Sequence, residues 1–414
     1  MRAVIHPRRL SGTVKALPSK SYAHRYLICA SLADGISEIS CDRFSDDILA
    51  TIRCISALGA RINCLIGRFE VIPRENGCYV KGAELDCGES GSTLRFLAPV
   101  VSAVGGGSFI MGGRLAARPM DALNRALSDH GVTVRKEGNV LAYLGKMTGG
   151  EFLIPGDISS QFVSGLLMAL PLVGGGEVRL TSPLSSAPYV DITVDAMRTF
   201  GVEVRREGEA FTVSPGSKYA GVKTAVPGDW SNAAFWLASG VRVTGLDMRD
   251  AQGDKAITGL ISRFGGTVVS DSDGVIACDL EDLNGTEIDA DDIPDAVPMI
   301  SVLAGTARGT TRIYNAARLR AKESDRIESV SNMLTAFGVP HEVTRDGLII
   351  HGRNGRLSGG CVIDSANDHR IAMAAAVGAG YADGDVTVTG AEAVAKSYPG
   401  FWDDYKELGG EIDV

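Results

Sequence analysis

The sequence lacks the cysteine and histidine patterns that hold structural metal ions or disulfide frameworks. Among its 414 residues, the eight cysteines include no C-x-x-C pair, and the six histidines include no H-E-x-x-H pattern. Zinc sites and secreted disulfide-rich folds depend on such spacings, so neither is expected. We predict reduced thiols at all eight positions: Cys29, Cys41, Cys54, Cys64, Cys78, Cys87, Cys278 and Cys361.

Signals for export, for a membrane and for nucleic acid are also missing. The first ten residues carry charges but no apolar core of a signal peptide. The longest apolar stretch, residues 162–173, is too short to span a bilayer and is interrupted by Gly165 and Pro171. A formal net charge of −9 gives no general attraction for nucleic acid. We therefore expect a soluble, cytoplasmic protein without a membrane or nucleic-acid partner.

The composition that remains is that of a large globular protein. Apolar residues make up 45% of the chain and charged residues 22%, which is ordinary for a folded domain. The length exceeds that of one ordinary hydrophobic core, so we expect two domains. The 51 glycines predict many turns and close backbone approaches.

One pattern recurs six times along the chain: a helix, a glycine and a β-rich hairpin. Apolar residues at i, i+3, i+4 and i+7 indicate amphipathic helices, and the glycine after each one has the place of a left-handed helix cap. A spacing of roughly 70 residues suits a small βαβ-type unit. The copies cover residues 48–62, 120–134, 190–204, 257–269, 327–343 and 402–414, with the glycines Gly59, Gly131, Gly201, Gly265, Gly338 and Gly409.

Six such units divide naturally into two domains of three. The segment 224–231, with Pro227 and Gly228, is the expected crossing near the middle of the chain, and a second crossing is expected near residues 13–18. We predict one domain from residues 14–225 and another from residues 1–13 and 226–414, which the N-terminal strand completes. Two similar domains joined by two strands suggest a cleft that closes on a ligand.

Polar residues gather at predicted helix starts in the first half of the chain. Residues 17–25 (LPSKSYAHR) place Lys20 and Ser21 at a helix N-terminus, which favours an anion, with Arg25 one turn later. Residues 86–95 (DCGESGSTLR) form a glycine-rich loop that enters a helix without the P-loop pattern of nucleotide-binding proteins. Taken alone, ordinary helix caps and surface turns explain these segments equally well. The same holds for segments 112–120, 157–161 and 184–191.

The second half of the chain concentrates charge in four segments. Residues 293–298 (IPDAVP) set Asp295 between two prolines, an unusual place for a merely solvated acid. For residues 320–326 (RAKESDR), an ordinary salt-bridged helix start is the simple alternative. Residues 365–370 (SANDHR) precede an alanine-rich helix, and residues 395–399 (AKSYP) supply a lysine.

In this order, the segments resemble the enolpyruvyl transferase family, and in particular its members that act on shikimate 3-phosphate. The motifs LPSKS, SGST, RPM, SSQF, PDA, KESDR, NDHR and AKSYP carry the resemblance across nearly the whole chain. It implies an α/β fold with two domains, each of three βαβαββ repeats in an inside-out barrel-like arrangement. The active site would lie in the interdomain cleft.

The resemblance also implies an activity. The enolpyruvyl group of phosphoenolpyruvate would be transferred to the 5-hydroxyl of shikimate 3-phosphate with release of phosphate. This is a step of the shikimate pathway towards chorismate and the aromatic amino acids. We expect no metal or organic cofactor, and we expect a monomer whose partners are the two small substrates.

Residue by residue, the resemblance implies three catalytic groups and two substrate sites. Asp295 would take the hydroxyl proton with help from Lys20, and Glu323 would deliver and remove the methyl proton. The expected shikimate 3-phosphate site consists of Lys20, Ser21, Arg25, Ser159, Ser160, Gln161, Ser186, Tyr189, Asp295 and Lys322. The expected phosphoenolpyruvate site consists of Lys20, Gly91, Arg118, Gln161, Arg326, Arg370 and Lys396.

Two stretches depart from the family pattern. Glu89 stands where the family usually has Asn or a similar amide, and a carboxylate beside a phosphate loop repels ligand unless it is turned away or neutralised. Residues 315–320 match only approximately, so Asn315 and Arg318 receive no role.

Two alternative functions are weighed against this one. The sister transferase that modifies UDP-N-acetylglucosamine usually carries a cysteine near its phosphoenolpyruvate-binding arginine, and residues 112–120 contain none. A catalytically inactive anion-binding module would have no need of both Asp295 and Glu323. Phosphate release from the two expected substrates discriminates the three.

Overall fold

The structure, a computed structural model, describes residues 1–74 and 79–414. Cys78, one of the predicted thiols, lies outside the described residues. The chain divides into two compact units. The middle unit comprises Pro18–Val226, and the terminal unit comprises Met1–Leu17 together with Pro227–Val414.

The middle unit alternates helices with short strands. Its helices are α1 Lys20–Ser31, α2 Asp46–Ala57, α3 Gly91–Val104, α4 Asp121–Asp129, α5 Ser160–Ala169 and α6 Ala187–Thr199. Its strands are β3 Ser37–Ser40, β4 Arg61–Leu65, β5 Arg68–Ile72, β6 Ala83–Gly88, β7 Gly106–Met111, β8 Thr133–Glu137, β9 Val140–Leu144, β10 Gly150–Ile154, β11 Gly176–Leu180, β12 Val204–Glu207, β13 Ala210–Val213 and β14 Lys223–Ala225.

The terminal unit repeats this alternation. Its helices are α7 Trp230–Leu237, α8 Ile257–Phe264, α9 Val297–Thr306, α10 Arg326–Ala336, α11 His369–Ala379 and α12 Phe401–Glu407. Its strands are β1 Arg2–His6, β2 Thr13–Lys15, β15 Arg242–Thr244, β16 Thr267–Asp271, β17 Gly274–Cys278, β18 Glu287–Asp289, β19 Thr310–Tyr314, β20 His341–Val343, β21 Leu348–His351, β22 Cys361–Asp364, β23 Val386–Thr389 and β24 Glu411–Asp413.

Within residues 1–74 and 79–414, the strands form six four-stranded sheets, three in each unit, and all share one pairing pattern. The sheet orders are β14-β3-β5-β4, β6-β7-β9-β8 and β10-β11-β13-β12 in the middle unit. They are β16-β17-β15-β2, β18-β19-β21-β20 and β22-β23-β1-β24 in the terminal unit. Each sheet contains one parallel pair and two antiparallel pairs, as a βαβαββ repeat requires. The predicted fold class is therefore confirmed.

Strands next to the two chain crossings complete sheets that are otherwise built from distant sequence. Strand β14 pairs in parallel with β3, and β2 pairs in parallel with β15, so each supplies the first strand of a repeat. Strand β1 lies between β23 and β24, antiparallel to both. The sheet formed by the C-terminal residues is thus completed by β1, the first strand of the chain.

Helices of two kinds cover these sheets. The first helix of each repeat (α1, α3, α5, α7, α9 and α11, here called the inner helices) is buried on nearly every face. Most of their residues are therefore apolar, and the buried charges that they do carry, such as Arg25 in α1, are hydrogen-bonded. At Gly165 in α5, an added Cβ would lie 2.3 Å from the carbonyl oxygen of Arg95 in α3. Only glycine permits that approach of the two helix backbones.

The second helix of each repeat keeps an exposed face and ends at one of the six predicted glycines. All six adopt positive φ angles, between 66° at Gly338 and 110° at Gly59. An L-residue with a side chain rarely adopts that conformation, whereas glycine does so at little cost. The predicted repeat signal is therefore confirmed. In the described part of the chain, no helix is both long and apolar enough to cross a bilayer.

Candidate active site

In the middle unit, predicted site residues lie at the first turns of the inner helices. Lys20 is the first residue of α1, Gly91 of α3 and Ser160 of α5. Helix N-termini present backbone N–H groups and a partial positive charge, which favours anions. The arrangement is thus suited to phosphate and carboxylate groups.

Lys20 is already ion-paired. Its Nζ lies 2.9 Å from Asp47 Oδ2, and both side chains are largely buried, with 16% and 17% of their surfaces exposed. Asp47 stands in the first turn of α2, so this pair joins two helix starts. Any ligand anion at Lys20 must share the ammonium group with this carboxylate.

Arg25 is more deeply buried than its predicted binding role suggests, with 1% of its surface exposed. It donates to the carbonyl oxygens of Ser21 and Tyr189, at 2.7 and 2.8 Å. Further bonds run to the hydroxyls of Thr193 and Ser164. The guanidinium therefore ties α1 to α5 and α6. Burial lowers its pKa to about 10, which still leaves it charged at neutral pH.

The glycine-rich loop meets two predicted ligand residues. A Cβ on Gly91 would lie 2.6 Å from Arg118 Nη1, so the Arg118 guanidinium rests against the bare Cα of this glycine. Gln161, in the first turn of α5, donates to Ser92 and accepts from Arg95 Nη1, both at 2.8 Å. Gly91, Arg118 and Gln161 are thus brought together as predicted for one anion site, although the role remains a prediction.

The serines predicted for shikimate 3-phosphate lie at the starts of α5 and α6. Ser159 is the residue before α5, and Ser160 begins it. Ser186 precedes α6 with φ 54° and ψ 44°, a left-handed conformation that is uncommon for serine. Residues held in such conformations cluster at ligand sites. Tyr189 follows in the first turn of α6, half-buried.

Glu89 is packed against the next turn of the chain. A Cβ on Gly113 would lie 2.7 Å from Glu89 Oε1, so the carboxylate lies over the Gly112–Gly113 backbone. The sequence raised the question of how a carboxylate is tolerated beside this loop. Its contact with the turn that leads to Arg118 accounts for the position of the side chain.

In the terminal unit, Asp295 is surrounded by three cations. Arg326 Nη1 donates to Oδ1 at 2.6 Å, Arg370 Nη2 donates to Oδ2 at 3.0 Å, and Lys322 Nζ lies 3.7 Å from Oδ1. Burial alone would raise the pKa of Asp295, but the three cations outweigh it and hold the pKa well below its usual range. Asp295 is therefore a carboxylate in this arrangement.

Arg326 holds three carboxylates at once. Besides Asp295, it donates to Glu323 Oε2 at 2.8 Å and, through Nε, to Asp368 Oδ2 at 2.8 Å. It is 1% exposed, and its three carboxylates keep its pKa well above the usual range despite the opposing effect of burial. The sequence-based prediction omitted Asp368, which is fully buried and caps α11 through the N–H of Arg370 at 3.0 Å. An aspartate just before a helix was the available signal.

The loops around this cluster place the remaining predicted residues. Lys396 Nζ donates to the carbonyl oxygen of Asn367 at 2.9 Å. Ala366 and Asn367 both have positive φ, 51° and 57°, which shapes the turn before α11. Arg318, left without a role above, pairs with Asp291 at 2.6 Å in the loop after β18.

A second acid that the sequence did not suggest lies near Asp295. Asp254 is 3% exposed and accepts a hydrogen bond from the Ser231 hydroxyl. Burial, reinforced by the charge of Asp295 and opposed by Arg370, raises the pKa of Asp254 to about 6. Within residues 1–74 and 79–414, no group of His, Cys, Asp or Glu is arranged to hold a metal ion. The expectation that no cofactor is needed stays a prediction.

Comparison with known proteins identifies the family. A family model described as EPSP synthase (3-phosphoshikimate 1-carboxyvinyltransferase) matches residues 4–405. The chain belongs to the EPSP synthase family. It is 40% identical to the 3-phosphoshikimate 1-carboxyvinyltransferase of Clostridium kluyveri, over 99% of this chain and 97% of that one. The enzyme of the same name from Clostridioides difficile is 38% identical, over 99% and 98%.

Solved EPSP synthases share the fold. The EPSP synthase of Acinetobacter baumannii superimposes with a TM-score of 0.83 and 25% identity over the full length of both chains. The enolpyruvyl transferase NikO of Streptomyces tendae, at 20% identity and a TM-score of 0.79, shares the fold over 100% of this chain and 98% of that one. The family predicted from the motifs is confirmed, and with it an enzyme of the transferase class in the shikimate pathway.

Proposed function

We propose that this chain transfers the enolpyruvyl group of phosphoenolpyruvate to the 5-hydroxyl of shikimate 3-phosphate, with Asp295 and Glu323 of the terminal unit and Lys20 of the middle unit as the catalytic groups. The observation that carries the proposal is that Arg326 holds both predicted acid–base groups, Asp295 and Glu323. The reaction needs a base for the hydroxyl and an acid for the methylene carbon, and each must act in reverse in the elimination step.

The two substrates bring several negative charges together. Coulomb repulsion between them is overcome only where cations and oriented N–H groups converge. We assign the sugar phosphate to the serines at the starts of α5 and α6, with Lys20 and Lys322. We assign phosphoenolpyruvate to Gly91, Arg118 and the cations of the terminal unit, Arg326, Arg370 and Lys396. Binding in the cleft between the two domains is part of this proposal and rests on the sequence.

Ligand binding activates Asp295 by exchanging its partners. Lys322, Arg326 and Arg370 carry three positive charges against the three negative charges of Asp295, Glu323 and Asp368. An arriving phosphate and carboxylate compete for the same guanidinium groups. Each cation that turns to the ligand raises the pKa of Asp295 towards its ordinary value. The carboxylate thereby becomes a better base at the moment when the hydroxyl is present.

Glu323 and Lys20 complete the proton transfers. Glu323 is less buried than Asp295, with 25% of its side chain exposed against 17%, and it accepts a hydrogen bond from Arg326. It is therefore the group assigned to protonate and later deprotonate the methyl carbon. Lys20, whose ammonium already shares Asp47, assists at the hydroxyl. The protein acts in the cytoplasm as a monomer in this proposal.

Phosphate release tests the proposal directly. Purified protein is mixed with phosphoenolpyruvate and shikimate 3-phosphate, and inorganic phosphate is followed with time. Release that requires both substrates is the expected result, and Glu323→Gln is expected to slow turnover at least about 100-fold while remaining folded. The conservative exchange Glu328→Gln, on the exposed side of α10, is the matched control. Release with UDP-N-acetylglucosamine as the only acceptor would contradict the assignment.

A further inference from the structure

A chain of four buried side chains runs beneath the glycine-rich loop of the middle unit. His24 Nδ1 lies 2.7 Å from Thr51 Oγ1, which in turn lies 2.7 Å from Thr93 Oγ1. The Thr93 hydroxyl donates to Ser90 Oγ at 2.8 Å, and the backbone N–H of Thr93 donates to the same oxygen at 3.3 Å. The four side chains are at most 2% exposed. None of them belongs to the predicted site.

The number of available protons fixes the direction of the hydrogen bonds between His24 and Ser90. A hydroxyl has one proton and two acceptor positions. Because Thr93 gives its proton to Ser90, Thr93 must accept from Thr51. Thr51 has then used its own proton, so His24 Nδ1 must be the donor to Thr51. His24 is therefore the tautomer with the proton on Nδ1 and none on Nε2.

The second ring nitrogen of His24, Nε2, gives independent support for this tautomer. Nε2 of His24 is buried and has no hydrogen-bond partner among the described residues. Orphaned buried N–H groups are rarer than under-satisfied acceptors, which favours a bare nitrogen at this position. Burial also lowers the pKa of His24 to about 3, aided by Lys20 and Arg25 and opposed by Asp47, so the ring is neutral.

These hydrogen-bonded side chains lie one helical turn below the groups assigned to anion binding. His24 follows Lys20 by four residues in α1, and Thr51 follows Asp47 by four residues in α2, so each pair lies on one face of its helix. Thr93 is in the first turn of α3, which begins at Gly91. The hydrogen-bonded side chains therefore connect the first two turns of α1, α2 and α3, and two of these helices, α1 and α3, begin with residues of the proposed site, Lys20 and Gly91.

We propose that His24 is a positioning residue for the phosphoenolpyruvate loop: its Nδ1 orders the hydroxyls of Thr51 and Thr93, which fixes Ser90 as the cap of α3. Ser90 Oγ accepts two hydrogen bonds, both from Thr93. The proton of the Ser90 hydroxyl therefore points away from Thr93, where it is available to the anion at the first turn of α3. This inference rests on the proposed function, which places phosphoenolpyruvate at Gly91 and Arg118.

The tautomer is tested on the unmodified protein. Nitrogen-15 NMR of histidine-labelled protein distinguishes a protonated from an unprotonated ring nitrogen, and only six histidines must be assigned. The expected result is a proton on Nδ1 of His24 at pH 7. A proton on Nε2 would reverse the hydroxyl chain and overturn the inference, whether or not the enzyme is active.

Substitutions at Thr93 test the positioning role. Thr93→Val removes the hydroxyl and keeps the shape, and we expect the KM for phosphoenolpyruvate to rise about 10-fold with kcat changed less than about twofold. Thr93→Ser should restore the KM. The control is Ser102→Ala, which removes a fully buried hydroxyl bound to the carbonyl oxygen of Ala98 in the same helix. It should affect thermal stability alone.

Two kinetic results would overturn the positioning role. One is a Thr93→Val enzyme that melts earlier but keeps the wild-type KM, as a purely structural hydroxyl would. The other is an equal rise of KM in Thr93→Val and Thr93→Ser. A wild-type protein that releases no phosphate from the two substrates would instead refute the proposed function, so the two failures are distinguishable.

Discussion

The substitution Asp295→Asn removes a carboxylate that Lys322, Arg326 and Arg370 share. The amide has nearly the same shape and keeps an oxygen that accepts from Arg326, so the change is mainly one of charge. The summed formal charge of six side chains then passes from zero to +1: Lys322, Arg326, Arg370, Glu323, Asp368 and residue 295 itself. The partners lie 2.6 to 3.7 Å from the carboxylate, and the side chain is 17% exposed, so solvent screens this change only in part.

The expected loss of stability follows from this burial. Removing one partner of a buried ion pair usually costs about 3–5 kcal/mol, because the remaining charges are left uncompensated. Glu323 and Asp368 still neutralise most of Arg326, which places the expected value at the lower end, about 3 kcal/mol. For a domain of 150–250 residues, that lowers the melting temperature by roughly 10 °C.

Ligand binding and turnover are expected to change in opposite directions. Turnover should fall at least about 100-fold, since the base for the hydroxyl is lost. Binding of phosphoenolpyruvate should become tighter by about 10-fold, because the cations no longer have to leave a competing carboxylate. Asp291→Asn is the matched control: it removes an ion pair of 2.6 Å with Arg318 in the same loop, but that pair is more exposed. It should cost less than about 1 kcal/mol and leave turnover unchanged.

Calorimetric titration with phosphoenolpyruvate and a phosphate-release assay measure the two effects separately. Thermal melting with and without ligand adds a third measurement, since tighter binding produces a larger upward shift of Tm. Weaker binding in Asp295→Asn, in proportion to the loss of turnover, would refute the idea that Asp295 competes with the ligand for cations. Unchanged turnover would remove Asp295 from the catalytic groups.

Three further predictions concern substitutions at single positions. Gly165→Ala should destabilise the protein by about 2 kcal/mol or more, since its Cβ would meet a backbone carbonyl at 2.3 Å, whereas Gly259→Ala, with nothing within 4 Å, should stabilise α8 by about 0.5–1 kcal/mol. Gly91→Ala should raise the KM for phosphoenolpyruvate several-fold, because its Cβ would displace the guanidinium of Arg118. Burial raises the pKa of Asp254 to about 6, so Asp254→Asn should raise Tm above pH 6 and lose that advantage below about pH 4.

The sign of the last prediction comes from proton linkage. An acid with a raised folded-state pKa binds its proton more tightly in the folded protein, so stability falls as pH rises from about 4 to 6. The amide cannot ionise and escapes that loss, which is on the order of 3 kcal/mol at pH 7, since the pKa rises by about two units and each unit is worth about 1.4 kcal/mol. An equal effect on Tm at pH 4 and pH 7.5 would contradict the raised pKa. Equal melting temperatures of the two glycine variants would contradict the steric argument.

Much of the fold is readable from the sequence because each repeat carries its own local signals. The positive φ after the second helix of each repeat requires glycine, and this requirement is visible in the sequence. The N-terminal strand was expected to join the terminal domain, but its partner strand and register could not be read from the sequence. Pairing of β1 with β23 joins residues such as Ala3 and Val388, and nothing in either short strand specifies so distant a partner.

The site was predictable as a set of residue types but not as a set of contacts. Motifs pointed to Arg25 and Arg326 as ligand cations. Their partners depend on tertiary structure: Arg25 is occupied by two carbonyl oxygens and two hydroxyls, and Arg326 by three carboxylates. Asp254 could not be predicted because a buried acid that does not cap a helix has no local sequence pattern, whereas Asp368 carried the signal of a helix cap but no sign of its bond to Arg326.

The pairing of cations with carboxylates in the terminal unit has a consequence for catalysis. If the cations of the terminal unit stood unpaired, their repulsion would cost stability, and a bound anion would be held as tightly in the ground state as in the transition state. Pairing Arg326 and Arg370 with Asp295 removes that repulsion, and in the proposed mechanism it makes ligand binding an exchange of partners. When the cations leave Asp295 for the ligand, the pKa of Asp295 rises and its carboxylate becomes a stronger base. Binding and proton transfer are then coupled through the same three side chains, and for that reason Asp295→Asn should separate them.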